Sequence, residues 1–114
     1  MPRLNLTRQT IPFAVDRALK RLGANVSYAR QRRRLTQQAL ARKAGVTPVT
    51  LRRVEQGSPT TAVGVYFAAL WALGLDREIA DIASPDRDEE GKTLERARAP
   101  ERIRARSEAL DDNF

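Results

Sequence analysis

The 114-residue sequence contains no cysteine and no histidine. Those two absences remove disulfides, thiol nucleophiles, imidazole general bases and His- or Cys-based metal sites together. Nothing in the composition calls for an oxidising compartment. Aromatic residues are scarce, at 5%. Phe13, Tyr28, Tyr66, Phe67, Trp71 and Phe114 are scattered, several at positions suited to a core. Binders of RNA or single strands stack bases on grouped aromatics, so that class is disfavoured. The opening segment, MPRLNLTRQTIPF, lacks the apolar run of a secretory signal. A long hydrophobic span is missing too. No residue from Gln56 to Leu75 is charged, but the apolar part of that stretch, AVGVYFAALWALGL, is only 14 residues. A membrane helix needs about 20. The expectation is a cytoplasmic protein with no membrane partner.

Catalytic patterns are equally absent. There is no G-x-x-x-x-G-K-[ST], no Ser/His pair and no metal-ligand spacing. Asp88, Glu89 and Glu90 are consecutive, so on a helix they diverge rather than converge, and they read as a solvated run. No catalytic residue, cofactor or metal is expected.

What the sequence does hold is positive charge. It has 21 Lys and Arg against 14 Asp and Glu, a net +7. The distribution is uneven. Residues 1–57 hold 13 basic and 2 acidic side chains, a net +11, whereas residues 58–114 hold 8 and 12, a net −4. One end of the molecule suits a polyanion, most simply nucleic acid, and the other does not.

Apolar periodicity divides the chain into helices. Val15, Leu19, Leu22, Val26 and Ala29 recur every three or four residues and define a first helix. Pro12 suits its first turn, and Gly23 costs it about 1 kcal/mol. Arg30 falls on the apolar stripe, with Arg32, Arg33 and Arg34 after it. Thr36 is placed to cap a second helix whose Leu40, Ala41 and Ala44 point inward. Gly45 suits the left-handed residue that ends it. Thr47 then caps a third helix, with Pro48 in its first position, where a missing N–H costs nothing. Gly57 ends it. Two short helices about a tight glycine turn make a helix-turn-helix unit.

A fourth helix is expected from about Ala62 to Leu73, with Val63, Phe67, Leu70 and Trp71 inward. A short fifth should follow from Leu75, using Ile79 and Ile82. DRDEEGKTLERARA reads as a last acidic helix ending at Pro100, followed by the charged tail ERIRARSEALDDNF. RLNLT, near the start, could be a short edge strand. The expected organisation is an arm over residues 1–11, a helix-turn-helix domain over 12–84 and a C-terminal segment and tail over 85–114.

The third helix carries the functional signal. At about 100° per residue, Leu51 and Val54 share one side. Val49 lies across from them, between Arg52 and Arg53. That is not a packing face, but it suits the DNA major groove. There arginine pairs with guanine O6 and N7, and a small apolar group meets a thymine methyl. The plain alternative is a lone exposed valine among solvated arginines. Gln37 begins the preceding helix, whose N-terminus can donate N–H groups to a phosphate. Glu55 falls on the core side and needs a partner there. Arg30, on the stripe of the first helix, is the natural one; the alternative is that both side chains reach water separately.

Leu35-Thr36-Gln37, Leu40-Ala41, Ala44-Gly45-Val46, Leu51, Val54-Glu55 and Gly57, with Arg30 before them, resemble the helix-turn-helix of the phage-repressor-like (Xre, or Cro/C1-type) DNA-binding family. The resemblance implies an all-α, five-helix repressor-like domain, here with an extra C-terminal helical segment and charged tail. It also implies DNA contacts from Gln37, from Thr47, Pro48, Val49 and Thr50, and from Arg53, and an ion pair between Arg30 and Glu55. Arg52 and Arg34 complete the expected DNA-binding set on position and charge. Residues 15–98 more narrowly resemble HipB-like repressors, the antitoxins of HipA-type Ser/Thr-kinase toxins. That implies a homodimer on a palindromic operator of double-stranded DNA, with a HipA-like kinase as a further partner. A stand-alone Xre-type regulator is the alternative. Phe67, Trp71, Ile79, Ile82 and Leu94 exceed what a small core requires and point to a twofold dimer through the C-terminal half.

Overall fold

The computed structural model describes residues 10–98. The segment RLNLT, residues 1–9 of the expected arm and the tail beyond residue 98 lie outside the described residues. Among those described, every regular element is helical, so the fold is all-α. They fall into two compact units dividing between Ile79 and Ala80.

The first unit contains α1 (Phe13–Arg32), α2 (Gln37–Ala44), α3 (Pro48–Glu55) and α4 (Val63–Ala72). Local chemistry sets the ends of the middle pair. The Thr36 hydroxyl accepts the Ala39 N–H at 3.0 Å, and Gly45 closes α2 in the left-handed region at φ 75°. The Thr47 hydroxyl accepts the Thr50 N–H at 3.2 Å, and Pro48 opens α3. Pro12 stands just outside α1, where its carbonyl accepts from the N–H groups of Val15 and Asp16.

Val26, Leu40, Leu51 and Val54 are fully buried and form the centre of the core. Ala29, Ala41, Tyr66, Ala69 and Leu73 surround them. Helix α2 packs on α3 and α4, and α1 packs on α3. The expected stripe of α1 is therefore partly wrong: Val15 is 45% exposed. A 20-residue helix is about 30 Å long, whereas its eight-residue neighbour α3 covers only about 12 Å. The start of α1 overhangs the core, which it meets from Leu19 onward.

Helix α4 corrects the sequence reading more sharply. Val63 and Trp71, expected inward, are exposed, while Tyr66 and Ala69 are the buried pair. Phe67 and Leu70 pack at the margin. Because α4 is apolar on all sides, its sequence has no period that marks the buried face. Tyr66 enters the core with its hydroxyl donating to the Ser58 carbonyl at 2.7 Å. Burial pushes that phenol above its ordinary value of 10.0. A raised folded-state pKa gives stability that is complete below the unfolded value and lost as pH rises through the folded one. Tyr66→Phe should thus cost about 1 kcal/mol near neutral pH through the lost hydrogen bond. It should also remove part of the stability loss above about pH 10. Urea melts at pH 7 and pH 10.5 compare the two effects.

Gly74, at φ 79°, ends α4. The short helix expected after it is a 3-10 turn, Asp76–Asp81, with Ile79 half-buried and Ile82 62% exposed. The second unit holds a 3-10 turn, Pro85–Arg87, and helical residues 89–98. The acidic helix starts later than its pattern suggested because Asp88 caps it, accepting the Gly91 N–H at 2.9 Å. Glu89 pairs with Lys92 on the surface, so within the acidic run Asp88 serves as a cap and Glu89 as half of an exposed ion pair.

Candidate nucleic-acid interface

The polar contacts that hold α3 in place converge on Glu55, in its last turn. Arg30 donates from Nε to Glu55 Oε2 at 2.9 Å and from Nη2 to Oε1 at 3.0 Å, a two-point clamp. Its remaining terminal nitrogen, Nη1, donates to the Leu35 carbonyl at 2.9 Å. Gln37 Nε2 donates to Glu55 Oε1 at 3.2 Å. One arginine thus ties α1, the turn before α2 and the end of α3 together, and Gln37 joins α2 to the same carboxylate. Only 14% of the Arg30 side chain and 7% of the Glu55 side chain are exposed. Planar, two-point contact of this kind fixes orientation as well as distance.

The Gln37 contact went unseen in the sequence, which assigned that residue to DNA alone. A carboxylate only accepts hydrogen bonds, so the Gln37 NH2 group faces Glu55 and its oxygen is left for another donor. The axial separation of α1 and α3 is set by two glycines. A Cβ on Gly23 would overlap the Val54 carbonyl oxygen and lie 2.7 Å from the Glu55 oxygen and 2.8 Å from the Gly57 nitrogen. A Cβ on Gly57, which has φ 71°, would come 2.6 Å from Lys20 Cα. Gly23, counted above only as a helix cost, is what lets the two backbones touch. An isolated glycine in a helical pattern was the available signal.

With Leu51 and Val54 in the core, the opposite side of α3 faces outward. Val49 is 51% exposed, and Arg52 and Arg53 are exposed beside it. Neither arginine has an acidic partner among the described residues. Thr50 and Pro48 are half-buried. Thr47 is exposed, but its hydroxyl is engaged by the Thr50 N–H and lies 2.9 Å from the Thr50 hydroxyl. Arg42 and Lys43 close α2 just before the turn.

The arginines at the end of α1 and just after it are not equivalent. Arg32 lies over the Tyr28 ring at 4.6 Å, and Arg33 donates to the Ala29 carbonyl at 2.8 Å. Arg34 is exposed and sits in the left-handed region at φ 53°. A side chain there costs about 1 kcal/mol or more, and its backbone N–H donates to the Gln31 carbonyl at 2.9 Å. Helix-ending positions of this kind normally carry glycine. An arginine in that place holds a cation at the start of the α1–α2 turn.

The described residues offer no group of three or more His, Cys, Asp or Glu side chains able to hold a metal. They also include no helix long and apolar enough to cross a membrane. A comparison with curated proteins returns no match. A family model described as a helix-turn-helix domain matches residues 15–81, which runs from the first turn of α1 to the end of the 3-10 turn Asp76–Asp81 and includes every residue of the α3 face and of the Arg30–Glu55–Gln37 cluster. The chain belongs to the helix-turn-helix family of DNA-binding regulators.

Proposed function

We propose that the chain is a sequence-specific transcriptional repressor that inserts α3 into the major groove of duplex DNA. The observation that carries this reading is Val49, exposed between Arg52 and Arg53 on the side of α3 away from Leu51 and Val54. Arginine and a small apolar group are the side chains that read guanine and the thymine methyl. In this reading Arg53 and Val49 meet bases, and Thr47, Pro48, Thr50 and Arg52 flank them. Gln37 and Arg34 meet phosphate or the groove edge, and two copies occupy a palindromic operator. Repression follows from occlusion of the promoter.

Footprinting the protein on the promoter of its own gene tests this. The expected result is two protected half-sites about 34 Å apart along the duplex, and no comparable binding to the separated strands. Equal affinity for duplex and single strands, or no protected site, would overturn it.

The resemblance of residues 15–98 to HipB-like repressors supports a further step, in which the protein is the antitoxin of a HipA-like kinase and represses its own operon. The −4 balance of residues 58–114 against +11 for residues 1–57 leaves a less basic region for a protein partner while DNA is bound. Co-expression with the product of the neighbouring gene separates this from a stand-alone regulator. A kinase-like neighbour that co-purifies supports the antitoxin role, and operator binding with no such neighbour removes it.

A further inference from the structure

Helix α1 presents a second charged face. At about 100° per residue, Phe13, Arg17, Arg21, Ala24, Tyr28 and Arg32 fall within an arc of about 100°, on the side away from the buried Val26 and Ala29. All six are exposed, Phe13 at 76% and Tyr28 at 60%. Arg17 lies over the Phe13 ring at 5.7 Å, as Arg32 lies over the Tyr28 ring. None of these three arginines has an acidic partner among the described residues. The face runs the whole of α1, about 28 Å, and its start, up to Ala18, stands clear of the core. Side chains four apart make ridges on a helix. Here Phe13, Arg17 and Arg21 form one, and Ala14 and Ala18 beside it leave a shallow depression walled by the two arginines.

We propose that this face binds an acidic amphipathic helix of a partner protein. The partner helix lays an apolar ridge over Ala14 and Ala18, and its carboxylates pair with Arg17, Arg21 and Arg32. An arginine resting on a ring keeps its N–H edge for two-point contact with a carboxylate. Arg17 and Arg21 stand about 6 Å apart along the axis, the spacing of two glutamates four apart on a facing helix. Arginine and aromatic residues are enriched in protein interfaces, whereas lysine is depleted there. The one lysine of α1, Lys20, lies off this face and is held by Asp16 at 2.8 Å.

Two features separate this partner from nucleic acid. A helix lying in a DNA groove meets bases with its crest and phosphates with its flanks. The flanks here hold Asp16 and Ser27 on one side and Ala18 and Asn25 on the other. With Lys20 already paired, no free cation is placed for the walls of a groove. The alanine floor also offers apolar surface, for which a phosphate backbone has no use. The face shares no residue with the α3 surface, so the proposal goes beyond the DNA reading and does not rest on it.

Fluorescence anisotropy of the full chain with a labelled synthetic peptide tests this. The probe is an alanine-based helix of about 20 residues, with glutamate and leucine three and four apart along one face. It should bind in the micromolar range, and glutamine in place of glutamate should weaken it at least about tenfold. Arg17→Ala with Arg21→Ala should raise the dissociation constant at least about tenfold. Arg52→Ala with Arg53→Ala, which removes the same charge from α3, should change it less than about threefold. Arg17→Glu with Arg21→Glu should prefer a lysine version of the peptide to the glutamate one. All four positions are exposed, and circular dichroism checks that each variant is folded. Equal loss from the α1 and α3 pairs would overturn the proposal, because net charge then accounts for the binding. Unchanged binding when the glutamates are scattered round the peptide helix would do the same. A third contrary result comes from DNA. If Arg17→Ala with Arg21→Ala weakened a scrambled duplex or a thymidine single strand as much as the peptide, the face would belong to the nucleic-acid surface instead.

Discussion

Glu55→Ala should destabilise the domain by about 3–5 kcal/mol, the usual loss when one member of a buried ion pair is removed. The reason is what remains. Arg30 keeps its charge with only 14% of its side chain exposed, and retains the Leu35 carbonyl as an uncharged acceptor. The Gln37 amide loses its acceptor at the same time. In a domain of this size each kcal/mol moves the melting temperature by about 4–8 °C, so even the lower figure is large. Arg30→Ala should cost a similar amount, because a buried carboxylate is then left alone. Replacing both with apolar residues of similar volume, Arg30→Met with Glu55→Leu, should recover much of the loss. Thermal melts of the four proteins check this. Near-wild-type stability in both alanine variants would mean that the pair is solvated and weak.

The contact between α1 and α3 gives the second large effect, and here the sign is the diagnostic. Alanine in place of a glycine inside a helix ordinarily stabilises it by about 1 kcal/mol. Gly23→Ala should do the opposite. Its methyl group would overlap the Val54 carbonyl and crowd the Glu55 oxygen at 2.7 Å and the Gly57 nitrogen at 2.8 Å. All three are backbone atoms, which cannot move aside as a flexible side chain can. Overpacking of that kind costs about 1–3 kcal/mol or more, and the shift also pulls Glu55 away from Arg30. We expect a net loss of about 1–2 kcal/mol in chemical denaturation. A gain would mean that α1 and α3 stand further apart than the structure has them.

How much of this was legible in the sequence follows from the range over which each feature is determined. The ends of α2 and α3 were readable because Thr36, Gly45, Thr47 and Pro48 act on backbone within a few residues of themselves. The all-α class followed from apolar spacing that repeats along α1, α2 and α3. Helix α4 defeated the same method. With apolar residues on every side, nothing in VGVYFAALWA distinguishes Tyr66, which is buried, from Trp71, which is not. Val15 failed for a different reason, since a stripe does not reveal where its neighbour stops. The Gly23–Gly57 approach and the Gln37–Glu55 hydrogen bond join residues 34 and 18 positions apart, and no local pattern encodes them.

The face of α3 was visible on a helical wheel, because Val49 is out of place on any packing surface. Its role is best decided by titrating wild type, Arg53→Ala and Arg34→Gln against an operator duplex and a scrambled duplex at several salt concentrations. If α3 reads bases, Arg53→Ala loses about 1–3 kcal/mol on the operator and much less on the scrambled DNA, with relaxed preference at one position in each half-site. Arg34→Gln, which on the same reading removes a phosphate contact, weakens both duplexes alike and lowers the salt slope by about one unit. Equal loss on both duplexes for Arg53→Ala, with the same change in salt slope as Arg34→Gln, would contradict base reading by α3.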